Sequence, residues 1–249
     1  MASESKPSEP VPQGSGNFAP TQWSVVLGSR PDAAGRREAL ERLCRIYWRP
    51  VYVYLRRRGQ PAADAEDLTQ GFFEYILDGS FLERPDPAKG RFRGYLIGTL
   101  KHYLGSQLER ESAQKRGGAI TFIDWGGLDA DTELSALGSA PADPVDAYEQ
   151  AWALALLGRA LARLEQEQAA IGKDAHFAIL KPFLSSTPSR GDYARCADLM
   201  GTTRSYVAVA VHRLNQRYGE LVRLEVAETV NNRADVAAEM QHLAQVLRT

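Results

Sequence analysis

Cysteine is almost absent from this chain of 249 residues, which contains only Cys44 and Cys196. Both lie within helical patterns and far apart in sequence, so we expect reduced thiols in a core rather than a disulfide or a metal site. Histidine is scarce too, and His176, His212 and His242 are too distant from one another in sequence to suggest a metal cluster. The composition therefore predicts a protein without a bound metal.

The sequence motifs of common enzyme sites are also missing. The chain has no Gly-rich phosphate-binding loop, no nucleophile elbow and no helix with paired histidines. A helical hydrolase that uses His102 with nearby carboxylates has no supporting spacing. We therefore expect a binding protein with no catalytic residues and no cofactor.

Long apolar runs are lacking, and so is an excess of charge of one sign. The longest apolar run, near residues 152–157, is far too short to cross a bilayer, and the N-terminus has no basic-then-apolar signal pattern. We therefore expect a cytoplasmic protein with no membrane partner. The net charge is −1, so any contact with nucleic acid must come from a local basic patch.

Apolar residues recur at helical spacing along most of the chain, which predicts an all-α fold. Residues 1–17 are rich in Pro, Ser and Gly and are expected to form a disordered tail. Residues 119–143 are acidic, contain no Lys or Arg and predict a linker. This linker would join helical domains at 18–118 and 144–230, and a helical extension would follow at 231–249.

Proline, glycine and polar residues mark several predicted helix boundaries. Asp143 and Pro144 predict a helix start, and Gly172 the corresponding end. A helix over residues 36–58 is expected to break or kink at Pro50, because the residue before a proline resists the helical conformation. The extension carries an apolar stripe that is expected to cover its own domain, with contact to a regulator as the alternative. Its members are Val236, Met240, Leu243 and Leu247.

Residues 64–118 join a helix with an acidic start to a basic helix that carries aromatic residues. Asp64 can cap the first helix, and nearby carboxylates complement its positive end. Cations predominate in the second helix and fall mainly outside its apolar face. This contrast predicts one protein partner and one polyanionic partner. The polar residues expected near the exposed start of the first helix are Asp64, Glu66, Asp67 and Gln70.

Residues 193–218 have the pattern of a helix, a tight turn and a second helix. Gly201 can adopt the left-handed turn conformation, and Thr203 can cap the second helix. Such a helix fits the major groove of DNA, although similar patterns also occur in cores that bind nothing. The expected duplex-binding residues are Thr203, Arg204, Ser205, Tyr206, His212, Arg213 and Arg217.

The segments DAEDLTQGFF and RFRGYLIGTLKHYL, with the Arg/Lys-rich end that follows, resemble the second domain of bacterial RNA polymerase sigma factors of the extracytoplasmic-function group, in the sigma-70 family. The helix-turn-helix segment resembles domain four of the same family. The resemblance covers roughly residues 36–224. It differs from the commoner members at His102, where Asn is usual, and at Ala208, where Lys is frequent.

The resemblance implies that RNA polymerase core binds at Asp64, Glu66, Asp67 and Gln70, and that domain four reads the minus-35 promoter element. The basic helix would melt the minus-ten element and hold its non-template strand. The strand-binding residues implied are Arg91, Arg93, Tyr95, Lys101, His102, Arg110, Lys115 and Arg116.

Several alternatives stay open at the level of sequence. The acidic linker either threads the RNA-exit path of the polymerase or is a soluble spacer that repels DNA. An anti-sigma factor or another regulator is a further candidate partner. The chain could also be a helix-turn-helix repressor or activator that does not associate with polymerase, but such a regulator has no need of the DAEDLTQ motif.

Overall fold

The computed structural model describes residues 33–77, 91–113, 143–230 and 232–248, and within them the chain is helical with no strand. The predicted all-α fold is confirmed for these ranges. The expected tail at 1–17 lies outside them, as does the expected linker apart from Asp143. The eight α-helices of the described ranges are α1 (Ala33–Arg57), α2 (Ala62–Leu77), α3 (Phe92–Ala113), α4 (Pro144–Ala170), α5 (Asp174–Leu180), α6 (Asp192–Leu199), α7 (Arg204–Glu228) and α8 (Val236–Val246).

Helix α1 continues through Pro50, so of the break or kink expected there, the break is wrong. Proline lacks the N–H that would bond to the preceding turn, which costs about 3 kcal/mol within a helix. The neighbouring Tyr47, Val51 and Leu55 are fully buried, and burial of each large apolar side chain contributes about 1.5–3 kcal/mol. Packing therefore outweighs the local preference, and the helix ends at Arg57 before the left-handed Gly59.

One hydrophobic core contains side chains from both sides of the predicted linker. The ring of Tyr47 on α1 meets Phe92 of α3 edge-on, with centroids 4.9 Å apart, and stacks on Tyr148 of α4 at 6.4 Å. The Tyr148 hydroxyl donates a hydrogen bond of 3.2 Å to the backbone carbonyl of Arg93. Helix α1 makes its most extensive contacts with α4. Helices assigned to the two predicted domains thus pack directly against each other.

Helix α4 begins and ends where local signals predict. Asp143 caps it through a 2.6 Å hydrogen bond that its carboxylate accepts from the Val145 backbone N–H, and Pro144 is the first helical residue. The helix ends at Ala170, and Gly172 follows with a φ of 68°. None of the described helices is long and apolar enough to cross a membrane.

The helix-turn-helix predicted at residues 193–218 is present as α6, a turn and α7. Gly201 takes a left-handed φ of 60°, and the Thr203 hydroxyl caps α7 by accepting a 3.2 Å hydrogen bond from the Tyr206 backbone N–H. The two helices meet where Ala197 and Val207 are buried. Helix α7 runs to Glu228, well beyond the segment expected from sequence, and also packs on α4 and α8.

The turn glycine gives a stability prediction with a matched control. An alanine at Gly201 would have to adopt a left-handed φ, so Gly201→Ala should lower the free energy of unfolding by about 1 kcal/mol. Gly158 lies exposed inside α4 with open space where a methyl group would lie, so Gly158→Ala should raise that free energy by about 0.5–1 kcal/mol. Urea denaturation measures both, and equal effects would contradict the turn geometry.

Candidate functional site

The exposed start of α7 is the first candidate site. Val207, Val211 and Leu214 form the buried stripe of the helix. The capped first turn and the next two turns therefore present polar and cationic side chains to solvent. Those that are exposed as predicted are Thr203, Arg204, Ser205, Tyr206, His212 and Arg213.

A groove of about 560 Å³ lies beside this surface, between α7, α5 and the end of α4. Exposed apolar side chains, Ile171 and Val209, contribute to its lining, and Lys173 and Arg213 supply positive charge. Such a combination suits a ligand that presents both negative charge and apolar groups.

Arg217 is the exception among the predicted duplex-binding residues. Its Nε and Nη2 each donate a 2.8 Å hydrogen bond to Glu167 of α4, and its Nη1 donates one of 2.8 Å to Glu220. All three guanidinium nitrogens of Arg217 are therefore engaged within the protein. In the described conformation Arg217 ties α7 to α4, which corrects its expected availability to DNA.

The acidic start of α2 is the second candidate site, and the structure changes two details of it. The helix begins at Ala62, so Asp64 lies in the first turn rather than at the cap. Asp64, Glu66 and Asp67 are exposed, as predicted. Gln70 is buried and donates a 3.1 Å hydrogen bond to Glu74, so its expected exposure is wrong. The reason is its place on the face of α2 that packs inward.

A groove of about 500 Å³ adjoins the exposed carboxylates of α2. Among the described residues of its lining, Asp64, Asp67 and Glu74 outnumber the one cation, Arg58, and Leu68 and Leu104 supply apolar surface. The negative field of these carboxylates favours a cationic partner, and the apolar part of the lining offers surface to bury. This combination is suited to a protein partner more than to a nucleic acid.

Helix α3 carries the third candidate site, the predicted strand-binding face. Lys101 and His102 are exposed on it, whereas Tyr95 is half-buried. Tyr103 of the same helix is buried against Phe72 of α2, with ring centroids 5.5 Å apart. The side chain of Arg110, and Lys115 and Arg116 altogether, lie outside the described residues.

Arg93 is buried, which overturns its expected place on an exposed DNA-binding face. Its Nε donates a 2.7 Å hydrogen bond to Glu239 of α8, and its Nη1 donates one of 2.5 Å to Glu149 of α4. The guanidinium carbon lies 4.9 Å from the ring centroid of Trp152. The Arg93 side chain is 8% exposed and the Glu239 side chain 1%. Because a buried cation requires paired anions, these contacts explain the burial.

Two further residues complete this cluster. Arg91, also predicted to bind a strand, is half-buried, and its Nε forms an ion pair of 2.7 Å with Glu239. The His242 Nε2 lies 2.9 Å from the Arg93 Nη1 and 3.0 Å from a Glu149 carboxylate oxygen. Sequence reasoning missed Glu239, Glu149 and His242. A signal for Glu239 was available, because it lies three residues after Val236 and four before Leu243, on the apolar face of α8.

Burial raises the pKa of the Glu239 carboxyl, and the Arg93 and Arg91 charges oppose that increase. Burial also raises the pKa of the Tyr148 hydroxyl well above its ordinary value. In contrast, the hydrogen bonds from Arg217 lower the pKa of the partly exposed Glu167. No group of His, Cys, Asp and Glu in the described ranges is arranged to hold a metal ion.

Comparison with known proteins adds no further constraint. The chain matches no protein-family model, and neither a curated protein nor a solved structure shows significant similarity to it.

The Arg217–Glu167 pair predicts a pH dependence of stability. The pKa of Glu167 is lowered in the folded state, so its contribution is present above its ordinary value of 4.5 and is lost as the pH falls through the lowered value. Glu167→Gln should therefore reduce the loss of thermal stability below pH 4.5. Melting curves by circular dichroism measure this effect.

The control is the same substitution in an Arg217→Gln background, where the hydrogen bonds that lower the pKa are gone. There Glu167→Gln should change the loss of thermal stability with falling pH much less. If the melting temperature of the Glu167→Gln variant fell with pH as steeply as that of the native chain, this pair would contribute nothing to the loss of stability in acid.

Proposed function

We propose that this protein is a sigma factor that directs RNA polymerase core to specific promoters and aids DNA melting. The observation that carries the proposal is the exposed, capped start of α7 in a helix-turn-helix, which presents Arg204, Ser205 and Tyr206 to solvent. The part specific to a sigma factor rests on the DAEDLTQ resemblance, since duplex binding alone is shared with other regulators.

The first step is reading of duplex DNA by α7. Arg204 is a cation in the first turn of a helix, where the positive end of the helix dipole disfavours it. A contact to a phosphate or a guanine edge would offset that cost, since a bidentate base contact contributes about 1–3 kcal/mol. Arg213 lies farther along the helix and is suited to the phosphate backbone.

The second step is docking on core polymerase through the start of α2. Asp64, Glu66 and Asp67 form an exposed carboxylate cluster next to the groove lined by Leu68 and Leu104. A basic protein surface with apolar side chains complements such a site. An anti-sigma factor that blocked this surface would prevent docking.

The third step is capture of an unpaired strand by α3. Lys101 and His102 are exposed and can supply a phosphate contact and a base contact. Phosphate contacts of this kind give salt-sensitive affinity. Arg91 and Arg93 can contribute only after their ion pairs with α8 and α4 separate.

Two double variants separate docking on polymerase from reading of duplex DNA. Asp64→Lys with Asp67→Lys should weaken binding to core polymerase by at least about tenfold, because it reverses the charge of the docking surface. Arg204→Ala with Arg213→Ala should leave polymerase binding intact but reduce run-off transcription from a cognate promoter by about tenfold, as expected for a loss of about 1.4 kcal/mol. Pull-down of core polymerase and run-off transcription measure the two effects.

The matched control is Asp146→Lys with Asp174→Lys, which changes exposed carboxylates in the first turns of α4 and α5. It should bind polymerase normally. Normal polymerase binding by a folded Asp64→Lys, Asp67→Lys variant would rule out docking through α2. A native chain that binds duplex DNA but no core polymerase would instead be a helix-turn-helix regulator.

A further inference from the structure

The start of α3 holds two arginines, Arg91 and Arg93, around one buried carboxylate, that of Glu239. One Glu239 oxygen accepts a 2.7 Å hydrogen bond from the Arg93 Nε. The other oxygen lies 2.7 Å from the Arg91 Nε and 3.3 Å from the Arg93 Nη2. Both oxygens are therefore bound by guanidinium forks. The same fork geometry suits a phosphate group.

The position of these arginines favours a bound anion next to them. Arg93 lies in the first turn of α3 and Arg91 directly before it, where the positive end of the helix dipole disfavours cations. Glu239 and Glu149 balance the two positive charges within the cluster. Without α8, Glu149 alone would remain as a partner, and the start of α3 would carry a net positive charge.

Helix α8 is attached to the rest of the protein through the charge cluster and a short apolar stripe, in which Leu243 is buried and Val236, Met240 and Val246 are partly buried against the core. It is an 11-residue helix near the end of the chain, and isolated helices of that length are marginal in water. Within α8 only Glu239 and Leu243 are buried. Because most of that apolar stripe is only partly buried, loss of the Glu239 ion pairs is expected to weaken the docking of α8.

We propose that α8 is an intramolecular competitor for nucleic acid, in which the Glu239 carboxylate occupies the site where Arg91 and Arg93 bind a phosphate of single-stranded DNA. The inference rests on the proposed function, because it assigns those arginines to an unpaired strand. Undocking of α8 exposes them, and binding of the strand prevents α8 from docking again. The protein with α8 docked therefore binds single-stranded DNA more weakly than the protein with α8 displaced.

The test measures binding of a labelled oligothymidylate of about 20 nucleotides to the full chain by fluorescence anisotropy, with no polymerase present. Glu239→Gln removes the competing charge and should tighten binding by about tenfold, as expected if the site is free in roughly one native molecule in ten. Adding Arg91→Gln to that variant should cancel most of the gain.

The matched control is Glu225→Gln, because Glu225 is also a buried carboxylate paired with an arginine, at 2.7 Å from Arg159. It should leave oligothymidylate binding unchanged. A folded Glu239→Gln variant with native affinity, or a gain that survives Arg91→Gln, would overturn the proposal. Circular dichroism establishes that each variant is folded.

Hydrogen exchange of the native chain tests the same proposal without a substitution. Saturating oligothymidylate should increase amide exchange in α8, since the strand and Glu239 cannot occupy the arginines together. Unchanged protection of α8 with the oligonucleotide bound would overturn the proposal. If α8 is displaced but the chain binds no core polymerase, the sigma-factor assignment fails and the competition between α8 and nucleic acid stands.

Discussion

The structure depends on the burial of one guanidinium, that of Arg93. A buried cation is stable only when anions and hydrogen-bond acceptors surround it, and Arg93 obtains them from Glu149 and Glu239. These partners lie 56 and 146 residues farther along the chain. In the described conformation the start of α3, helix α4 and helix α8 therefore meet around this one guanidinium, and the Trp152 ring lies against it.

This requirement shapes what the described surfaces can do. Two candidate sites, the carboxylates of α2 and the first turns of α7, are exposed and need no rearrangement to meet a partner. The predicted strand-binding face of α3 is different, because its first two arginines lie within the charge cluster. If the protein is a sigma factor, this conformation can dock and read duplex DNA before it can hold an unpaired strand.

Local features of the fold could be predicted from sequence, and distant pairings could not. The caps at Asp143 and Thr203 and the turn at Gly201 follow from residues within a few positions of each other. The pairing of Arg93 with Glu239 depends on packing across the whole chain, and no short pattern encodes it. The predicted exposure of Gln70 was wrong because periodicity locates the centre of a buried helix face more reliably than the residues at its edge.

The most direct measurement of the central claim, that helices from both sides of the predicted linker share one core in the free protein, is a distance distribution between α3 and α7. Spin labels at Lys101→Cys on α3 and Gln216→Cys on α7 lie at exposed positions, whereas the native Cys44 and Cys196 are buried. The account predicts a single narrow distribution in pulsed electron–electron resonance. A broad distribution, as two domains on a flexible tether would give, would contradict it.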